Sequence, residues 1–385
     1  MRTAVVHDWL VMPGGAERVL EEILRLLPEA DLYCIADFMR AEDRHFLKGR
    51  PVRTSFIQKL PFACRRYRSY LPLMPAAVAH FDLSSYDLVV SSSHAVAKGV
   101  STSPGQFHIS YVHTPARYAW DMQQQYLALS GMATGFRGIA ARLMLHYFRR
   151  WDVNSARHVD RVVANSRFVA ARIRKIYQRD AVVIYPPVDL ERFNLRRQKE
   201  PFYLTVSRLV AYKRVDLIVE AFGRMPQKRL VVIGGGPELA KLRAIARPNV
   251  ALLGYQPSEV VQDHVRRAQA FVFAAEEDFG IAPVEAQACG TPVIAYNRGG
   301  VTESVVAGET GVFFEEQTAP ALMAAVEEFE KGRGRFDPAR IRANAEAFGA
   351  ERFRREFARL IEDEWAAFTA RNRARHPQIA AGTRR

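Results

Sequence analysis

Two glutamates, Glu277 and Glu285, stand with seven residues between them in the stretch AAEEDFGIAPVEAQACGTPVIA, residues 274–295. Carboxylates accept paired hydrogen bonds from vicinal hydroxyls, such as those of a sugar or a ribose. Gly280 and Pro283 favour a turn into a helix, with Pro283 at its first position and Glu285 in its first turn. Spacing alone leaves two interpretations open: a carboxylate pair that binds a polar ligand, or solvated charges on a loop and a helix.

Two cations occupy a second stretch, VSRLVAYKRVDLIVEAF. Arg208 follows an apolar, strand-like run, and Lys213 lies five residues later. Cations fixed beside a diphosphate stabilise the charge that develops on it as it leaves. The alternative is a pair of solvated surface cations.

Glycine-rich turns and one histidine follow other apolar runs. VVIGGGPEL carries Gly234 and Gly235, but it departs from the G-x-G-x-x-G pattern of dinucleotide sites. In HDWLVMPGGAERV, Gly14 and Gly15 precede a helix whose first amides favour an anion. His113 ends the apolar run of SYVHTPARYAW, a position at which a lone histidine is more often structural than catalytic.

Apolar runs alternate with amphipathic stretches along the chain, which predicts parallel sheets covered by helices. The expected strands are 3–8, 86–93, 107–115, 161–166, 202–209, 229–237, 249–255, 270–277 and 291–296. The expected helices are 16–27, 167–177 with Ser166 as its N-cap, 214–224, 237–246, 283–289 and 352–369. The chain is therefore predicted to be an α/β protein of two doubly wound domains, with ligands bound at the carboxyl ends of the strands, in a cleft between the domains.

Residues 182–201 contain a predicted strand, a double proline and then a charged stretch, which suits a crossing between domains. We predict an N-terminal domain over 1–185 and a C-terminal domain over 186–351. A closing helix over 352–370 is expected to pack back toward the N-terminal domain, followed by a disordered basic tail over 371–385.

The composition fits a globular protein of about two domains, with 385 residues, 49% hydrophobic and 25% charged. No apolar run approaches the ~18 residues of a membrane helix. The N-terminus predicts a first strand and no signal peptide. Three widely spaced cysteines, Cys34, Cys64 and Cys289, favour a reduced, cytoplasmic compartment.

The net charge of +14 is unevenly distributed. Residues 1–195 carry 26 basic and 17 acidic side chains, residues 196–370 carry 24 of each, and the tail adds five arginines. No nucleic-acid-binding motif accompanies this charge, so we expect an anionic membrane surface and no nucleic acid as the partner.

The stretch EDFGIAPVEAQACGTPVIA resembles the E-x7-E signature of family 4 retaining glycosyltransferases of the GT-B fold. The resemblance extends over nearly the whole chain, through HDWL, GGAER, YVHTP and the Arg208–Lys213 stretch, and it is strongest to bacterial mannosyltransferases of O-antigen and exopolysaccharide assembly. It implies two Rossmann-like domains that face each other across a cleft, with the acceptor bound by the N-terminal domain and the donor by the C-terminal domain.

The resemblance also assigns roles to residues. It implies that Glu277 holds the donor sugar, that Glu285 holds the ribose, and that Arg208 and Lys213 bind the diphosphate. It places His113 beside the reacting sugar or the acceptor hydroxyl. The remaining donor contacts that it implies are Gly14, Gly15, Gly234, Gly235, Tyr255, Phe279, Gly280 and Ile281, while Glu303 in GGVTE is equally a structural turn residue.

The implied reaction moves a hexose, mannose from GDP-mannose in this branch, to a lipid-linked glycan by front-face displacement. No required metal or other cofactor is expected, since no DxD motif is present. The enzyme is expected on the inner face of the cytoplasmic membrane. A UDP-sugar donor, a nucleotide-sugar epimerase, a phosphorylase and a non-catalytic glycan- or lipid-binding scaffold remain as alternatives.

Two segments bear on the acceptor. Residues 62–75 interleave arginines with aromatic residues, and residues 136–151 place apolar side chains at helical spacing among arginines. One interpretation is an ordinary amphipathic helix packed on its own domain. The other is a surface that meets anionic lipid or a polyprenyl-diphosphate acceptor, and the charge of this half favours it.

Overall fold

A computed structural model of the chain describes residues 1–121, 123 and 134–375. The chain divides into two compact units. The first unit combines Met1–Tyr185 with Phe353–Arg385, and the second is Pro186–Arg352. Within the described ranges, no helix is both long enough and apolar enough to span a bilayer.

The first unit is built on a seven-stranded parallel sheet in the order β3-β2-β1-β4-β5-β6-β7. Its strands are β1 Thr3–Leu10, β2 Asp31–Asp37, β3 Val52–Thr54, β4 Leu88–Ser93, β5 Phe107–Val112, β6 Arg161–Ala164 and β7 Val182–Val183. Its helices are α1 Gly15–Leu26, α2 Ala63–Arg66, α3 Met74–Ala79, α4 Gly135–Arg157 and α5 Arg167–Tyr177. Short 3-10 helices cover Ala41–Asp43, His45–Leu47, Phe56–Lys59, Tyr67–Leu73 and Ala97–Gly99. Strands β4 and β5 are buried throughout, as the central strands of a parallel sheet are.

The second unit is built on a six-stranded parallel sheet in the order β10-β9-β8-β11-β12-β13. Its strands are β8 Glu200–Val206, β9 Arg229–Ile233, β10 Val250–Gly254, β11 Ala268–Phe273, β12 Val293–Tyr296 and β13 Gly311–Phe314. Its helices are α6 Val215–Gly223, α7 Leu239–Ile245, α8 Ser258–Arg267, α9 Ile281–Ala288, α10 Ala319–Lys331 and α11 Pro338–Glu346. Short 3-10 helices cover Ala211–Lys213, Gly300–Glu303 and Arg333–Arg335.

The last helix, α12 Ala350–Arg375, contributes to the first unit from Phe353 onward. Phe353 and Phe357 are fully buried in that unit's core, with their rings stacked 5.6 Å apart. The helix is longer than the predicted 352–370 and includes the first five residues of the predicted tail. The rest of the tail lies outside the described residues.

The prediction of two doubly wound α/β domains is confirmed. Every predicted strand and helix is present with shifted ends, and the hydroxyl of Ser166 caps α5 by accepting from the Val169 amide at 3.0 Å. Strands β2, β3 and β13 and several helices, such as α8, are not predicted from the sequence.

Candidate functional site

The second sheet has a topological switch point between β8 and β11, because the chain continues from β8 to one side and from β11 to the other. Ligands of doubly wound sheets bind at such points, outside the carboxyl ends of the strands. Arg208 and Lys213 lie in the loop that follows β8, and Glu277 lies in the loop that follows β11. These three predicted residues therefore belong to the two loops that flank the switch point.

Lys213 and Glu277 contact each other directly. The Lys213 ammonium donates to Oε1 of Glu277, and both side chains are about four-fifths buried, with exposed fractions of 18% and 20%. The same ammonium lies 5.6 Å from the centre of the Tyr212 ring. Arg208 is exposed, and its guanidinium makes no hydrogen bond or ion pair among the described residues. Lys213, Glu277 and Arg208 thus present a paired cation, a carboxylate and an unengaged guanidinium.

The backbone of Glu277 is fixed by the GGVTE turn. Glu277 and Gly299 form an isolated parallel bridge, and the Gly300 amide donates to the Glu277 carbonyl at 2.8 Å. A Cβ atom on Gly299, which has a φ of +82°, would lie 2.4 Å from that carbonyl oxygen. Glycine is therefore required here so that the turn can approach the Glu277 loop. Glu303 ends the 3-10 helix of this turn and is partly buried.

The glycine-rich turn after β9 packs on the loop that carries Arg208. A Cβ atom on Gly234 would lie 1.8 Å from the Ser207 carbonyl oxygen. The Leu209 amide donates to the Gly235 carbonyl at 2.9 Å. The turn thus supports the Arg208 loop, and after the next strand, β10, Tyr255 is 83% exposed.

Helix α9 begins earlier than predicted, which corrects two details of the sequence analysis. It starts at Ile281 after Gly280, whose φ of +86° is left-handed. Pro283 is its third residue, still in the first turn, where amides have no partner in the helix. Glu285 is its fifth residue and so lies in the second turn, beyond the strongest effect of the helix dipole.

The side chain of Phe279 belongs to the interior of the second unit. It is 3% exposed, and its ring lies 5.5 Å from that of Phe348. Its backbone, not its ring, is therefore the part that a ligand could contact. Gly280 is buried beside it, whereas Ile281 and Glu285 are partly exposed.

The first sheet also has a switch point, between β1 and β4, and buried polar residues lie there. Asp8 is fully buried, and its carboxylate accepts four backbone hydrogen bonds of 2.6–2.9 Å from the amides of residues 94–97. Oδ2 of Asp8 also lies 3.0 Å from Nδ1 of His94. One carboxylate thus holds the loop that follows β4.

Asp8 and His94 shift each other's pKa. Burial acts to raise the pKa of Asp8, but His94 and its amide outweigh burial and hold that pKa well below its ordinary value. Burial likewise acts to lower the pKa of His94, but the Asp8 carboxylate outweighs it and raises that pKa above the ordinary value. The pair therefore favours an imidazolium at His94, whose side chain is 26% exposed.

His113 has the opposite environment. It is buried, and burial, followed by the neighbouring His94 and His7, lowers its pKa well below the ordinary value. Its Nε2 lies 2.9 Å from the Ser92 hydroxyl, and its ring centre lies 6.2 Å from that of His94. A neutral histidine therefore stands beside a charged one at the carboxyl ends of β4 and β5.

Gly14 and Gly15 lie where the sequence predicted, at the start of α1. Gly14 is the N-cap and has no side chain to satisfy the first amides of the helix. A Cβ atom on Gly14 would lie 2.9 Å from Oε2 of Glu17. Glycine therefore leaves room for the Glu17 carboxylate in the first turn.

The sequence analysis missed His7, Asp8, Ser92 and His94 as candidate site residues. His7 and Asp8 lie within β1, Ser92 lies within β4, and His7 is the register partner of Ser92. The available signal was a run of polar residues, HD and SSSH, inside strands that are otherwise apolar. Among the described residues, no group of three or more His, Cys, Asp or Glu side chains is placed to hold a metal ion.

Two family models cover most of the chain. Residues 188–348 match "Glycosyl transferases group 1", and residues 13–192 match "Glycosyltransferase Family 4". The first model therefore covers most of the second unit, and the other covers most of the first unit.

Curated relatives match only in part. A D-inositol 3-phosphate glycosyltransferase of Geodermatophilus obscurus is 34% identical over 55% of this chain and 52% of its own length. A GDP-mannose-dependent α-(1-6)-phosphatidylinositol monomannoside mannosyltransferase of Mycolicibacterium smegmatis is 29% identical over 43% of this chain and 52% of its own. This chain thus spans about half the length of the curated relatives it matches.

Solved structures share the fold at low identity. HepE of Anabaena, solved in complex with UDP-glucose, has a TM-score of 0.66 at 18% identity and covers 94% of this chain and 100% of its own. Sucrose-phosphate synthase of Thermosynechococcus elongatus has a TM-score of 0.73 at 17% identity, and the match covers 95% of this chain and 100% of that chain. These likenesses establish the common fold of two Rossmann-like domains.

Proposed function

Because the chain carries the glycosyl transferases group 1 and glycosyltransferase family 4 domains, we propose that it is a glycosyltransferase whose second unit binds a nucleotide sugar. The observation that carries this proposal is the Lys213–Glu277 pair at the switch point of the second sheet. Cations bind a diphosphate, and hydrogen-bond acceptors bind the hydroxyls of a sugar. The Lys213–Glu277 contact supplies one cation and one acceptor.

In this proposal Lys213 and Arg208 bind the donor diphosphate. The Arg208 guanidinium is exposed and unengaged, so it can form a bidentate contact with phosphate oxygens. The Lys213 ammonium is already placed by Glu277, so little side-chain freedom is lost when the donor binds. Both cations stabilise the leaving diphosphate.

The two glutamates, Glu277 and Glu285, bind hydroxyl groups of the donor. Glu277 accepts hydrogen bonds from the hexose, and Glu285, partly exposed on α9, accepts those of the ribose. The backbone at Phe279, Gly280 and Ile281 approaches the sugar and diphosphate. Exposed Tyr255 meets the base, with Gly234 and Gly235 in the supporting turn.

The reaction proposed is transfer with retention of the anomeric configuration. The bond from the anomeric carbon to the diphosphate oxygen breaks, and a bond to the acceptor oxygen forms on the same face. The acceptor proton passes to the leaving diphosphate, so no protein base is consumed. His113, neutral because burial lowers its pKa, contacts the sugar or the acceptor hydroxyl, and Gly14 and Gly15 offer amides to an anionic group.

We propose mannose from GDP-mannose as the donor. The M. smegmatis relative named for GDP-mannose supports the choice, while the HepE structure contains UDP-glucose. A thermal-shift panel of GDP, UDP and their sugars distinguishes these donors, because a ligand that binds the folded state raises Tm. We expect GDP and GDP-mannose to raise Tm and UDP to leave it unchanged. A shift with UDP alone would reject mannose from GDP-mannose while leaving the transfer reaction standing.

We also propose a lipid-linked glycan acceptor, in surface polysaccharide assembly of the O-antigen or exopolysaccharide kind, and an anionic membrane surface as partner. Helix α4 supports this because it is apolar on two faces. Ala141, Leu145 and Phe148 are buried in the first unit, whereas a second apolar stripe is exposed: Phe136 at 85%, Ile139 at 56%, Leu143 at 67% and Tyr147 at 63%.

The neighbouring basic segment supports the same partner. Phe62 is 72% exposed, and Arg65, Arg66 and Arg68 are exposed around it. Tyr67 of this segment packs in the same apolar cluster as the buried face of α4. Exposed apolar groups beside cations are typical of a surface that binds the inner face of the cytoplasmic membrane.

Vesicle sedimentation tests the membrane proposal. The double variant Leu143→Ser, Tyr147→Ser should bind vesicles of phosphatidylcholine with phosphatidylglycerol about tenfold more weakly than the wild type, because it loses apolar area. Ile245→Ser removes an apolar side chain that is 42% exposed in the second unit and should bind as the wild type does. Equal binding by all three proteins would contradict the role of α4.

A further inference from the structure

A buried chain of polar groups leads from Glu17 to His113 in the first unit. Nε2 of His7 lies 3.7 Å from Oε1 of Glu17, and Nδ1 of His7 lies 3.1 Å from the Ser92 hydroxyl. The same hydroxyl lies 2.9 Å from Nε2 of His113. His7 and Ser92 are fully buried.

The single proton of the Ser92 hydroxyl makes the chain directional. A serine hydroxyl donates one hydrogen bond, so Ser92 can donate to only one of the two histidines and must accept from the other once its proton is used. His7 decides which one. Its Nε2 is buried, has no hydrogen-bond partner among the described residues, and lies 3.7 Å from the Glu17 carboxylate.

The Glu17 carboxylate favours a proton on Nε2 of His7. An unprotonated Nε2 would place its lone pair beside the lone pairs of the Glu17 carboxylate oxygen, which is repulsive. A His7 ring that holds one proton then carries none on Nδ1, and this nitrogen accepts from Ser92. The Ser92 oxygen must in turn accept from Nε2 of His113. His113 is left with a proton on Nε2 and none on Nδ1, which makes no hydrogen bond with any part of the chain that is described.

We propose that Ser92 is a positioning residue which, with His7 and Glu17, fixes His113 in the tautomer that has a bare Nδ1, ready to accept a hydrogen bond from a ligand hydroxyl. The ligand role rests on the proposed function, whereas the tautomer does not. The lowered pKa of His113 supports it, because the Nδ1 lone pair then stays free at neutral pH. The charged groups near this ring are Asp8 and the imidazolium of His94, whose ring centre lies 6.2 Å from that of His113.

Nitrogen-15 NMR of histidine-labelled protein tests the tautomer, with the His113 signals assigned by their loss in His113→Gln. In the wild type, Nδ1 of His113 should resonate as an unprotonated nitrogen and Nε2 as a protonated one. In Ser92→Ala the two nitrogens should share the proton, since the alanine no longer accepts from Nε2. A protonated Nδ1 in the wild type, or an unchanged spectrum in Ser92→Ala, would overturn the proposal.

Ser91→Ala is the matched control. Ser91 is the adjacent residue of β4, is equally buried, and bonds Nε2 of His108 at 2.8 Å. Its loss removes a buried serine–histidine bond without touching His113. We expect Ser92→Ala alone to lower kcat of transfer about tenfold and to change the His113 tautomer.

A second variant tests the proposal in case the Ser92→Ala protein does not fold. Glu17→Gln changes a side chain that is 13% exposed and should also mix the His113 tautomers, because an amide no longer fixes the proton of His7. If no nucleotide sugar supports transfer, the spectra still decide the tautomer, so failure of the proposed function and failure of this inference are distinguishable.

Discussion

Replacing Lys213 with alanine should lower kcat of hexose transfer by about 10²–10³-fold, because it removes a cation beside the leaving diphosphate. The fold should remain intact, because both side chains of the Lys213–Glu277 pair keep contact with solvent and the carboxylate left behind can be hydrated. Release of GDP from GDP-mannose in the presence of membrane lipid extract measures the rate. Thermal unfolding measures the fold, and Glu277→Ala should show the same pattern.

Lys228→Ala is the control for that prediction. Lys228 forms an ion pair with Glu330 in the same unit, away from the switch point, and its side chain is 10% exposed. Its loss should cost similar stability and leave kcat unchanged. Turnover at the wild-type rate in Lys213→Ala or Glu277→Ala, or an equal loss in Lys228→Ala, would reject the assignment of the pair to the donor.

Replacing Asp8 with asparagine should lower the free energy of unfolding by about 3–5 kcal/mol, because a buried charged network loses its central partner. Four amides and His94 converge on the carboxylate, and an asparagine would offer one acceptor oxygen and a clashing NH₂ group. Urea unfolding followed by circular dichroism measures the loss. Asp82→Asn, which changes an exposed carboxylate that caps a turn at Ser84, should stay within about 0.5 kcal/mol of the wild type.

The pH dependence of this difference follows from the two shifted pKa values. Folding lowers the pKa of Asp8, so its contribution is present above the unfolded pKa and is lost as the pH falls. Folding raises the pKa of His94, so its contribution is present below the unfolded pKa and is lost as the pH rises through the raised value. The difference between wild type and Asp8→Asn should therefore be largest between about pH 4.5 and 6.5. A difference below 1 kcal/mol, or one that does not change with pH, would contradict the network.

The sequence predicted the architecture because both sheets are built from apolar runs separated by helical stretches. It also located Arg208, Lys213 and Glu277, since each follows a strand within a local motif. The predicted start of α9 was wrong by two residues, because Gly280 adopts a left-handed conformation and the helix begins at Ile281, before Pro283. Strand β13 was missed because it has only four residues, whereas the five-residue apolar run of β2 was overlooked.

The network around His113 could not be predicted in the same way. Asp8 and the amide of His94 are 86 residues apart in sequence, and their contact depends on β1 and β4 being neighbours in the sheet. The two faces of α4 pose a similar problem, since helical spacing does not say which apolar stripe is buried. Leu145 and Phe148 face the core, whereas Leu143 and Tyr147 do not, and packing of the whole unit decides this.

The central claim is that the second unit holds a nucleotide sugar through Glu277, Glu285, Arg208 and Lys213. Calorimetric titration of GDP-mannose into the wild type, Glu285→Ala and Glu276→Ala tests it most directly. We predict binding by the wild type and by Glu276→Ala, and affinity at least about tenfold weaker in Glu285→Ala, because two ribose hydrogen bonds are lost. Equal affinity in all three proteins, or no binding of any nucleotide sugar by the wild type, would contradict the account.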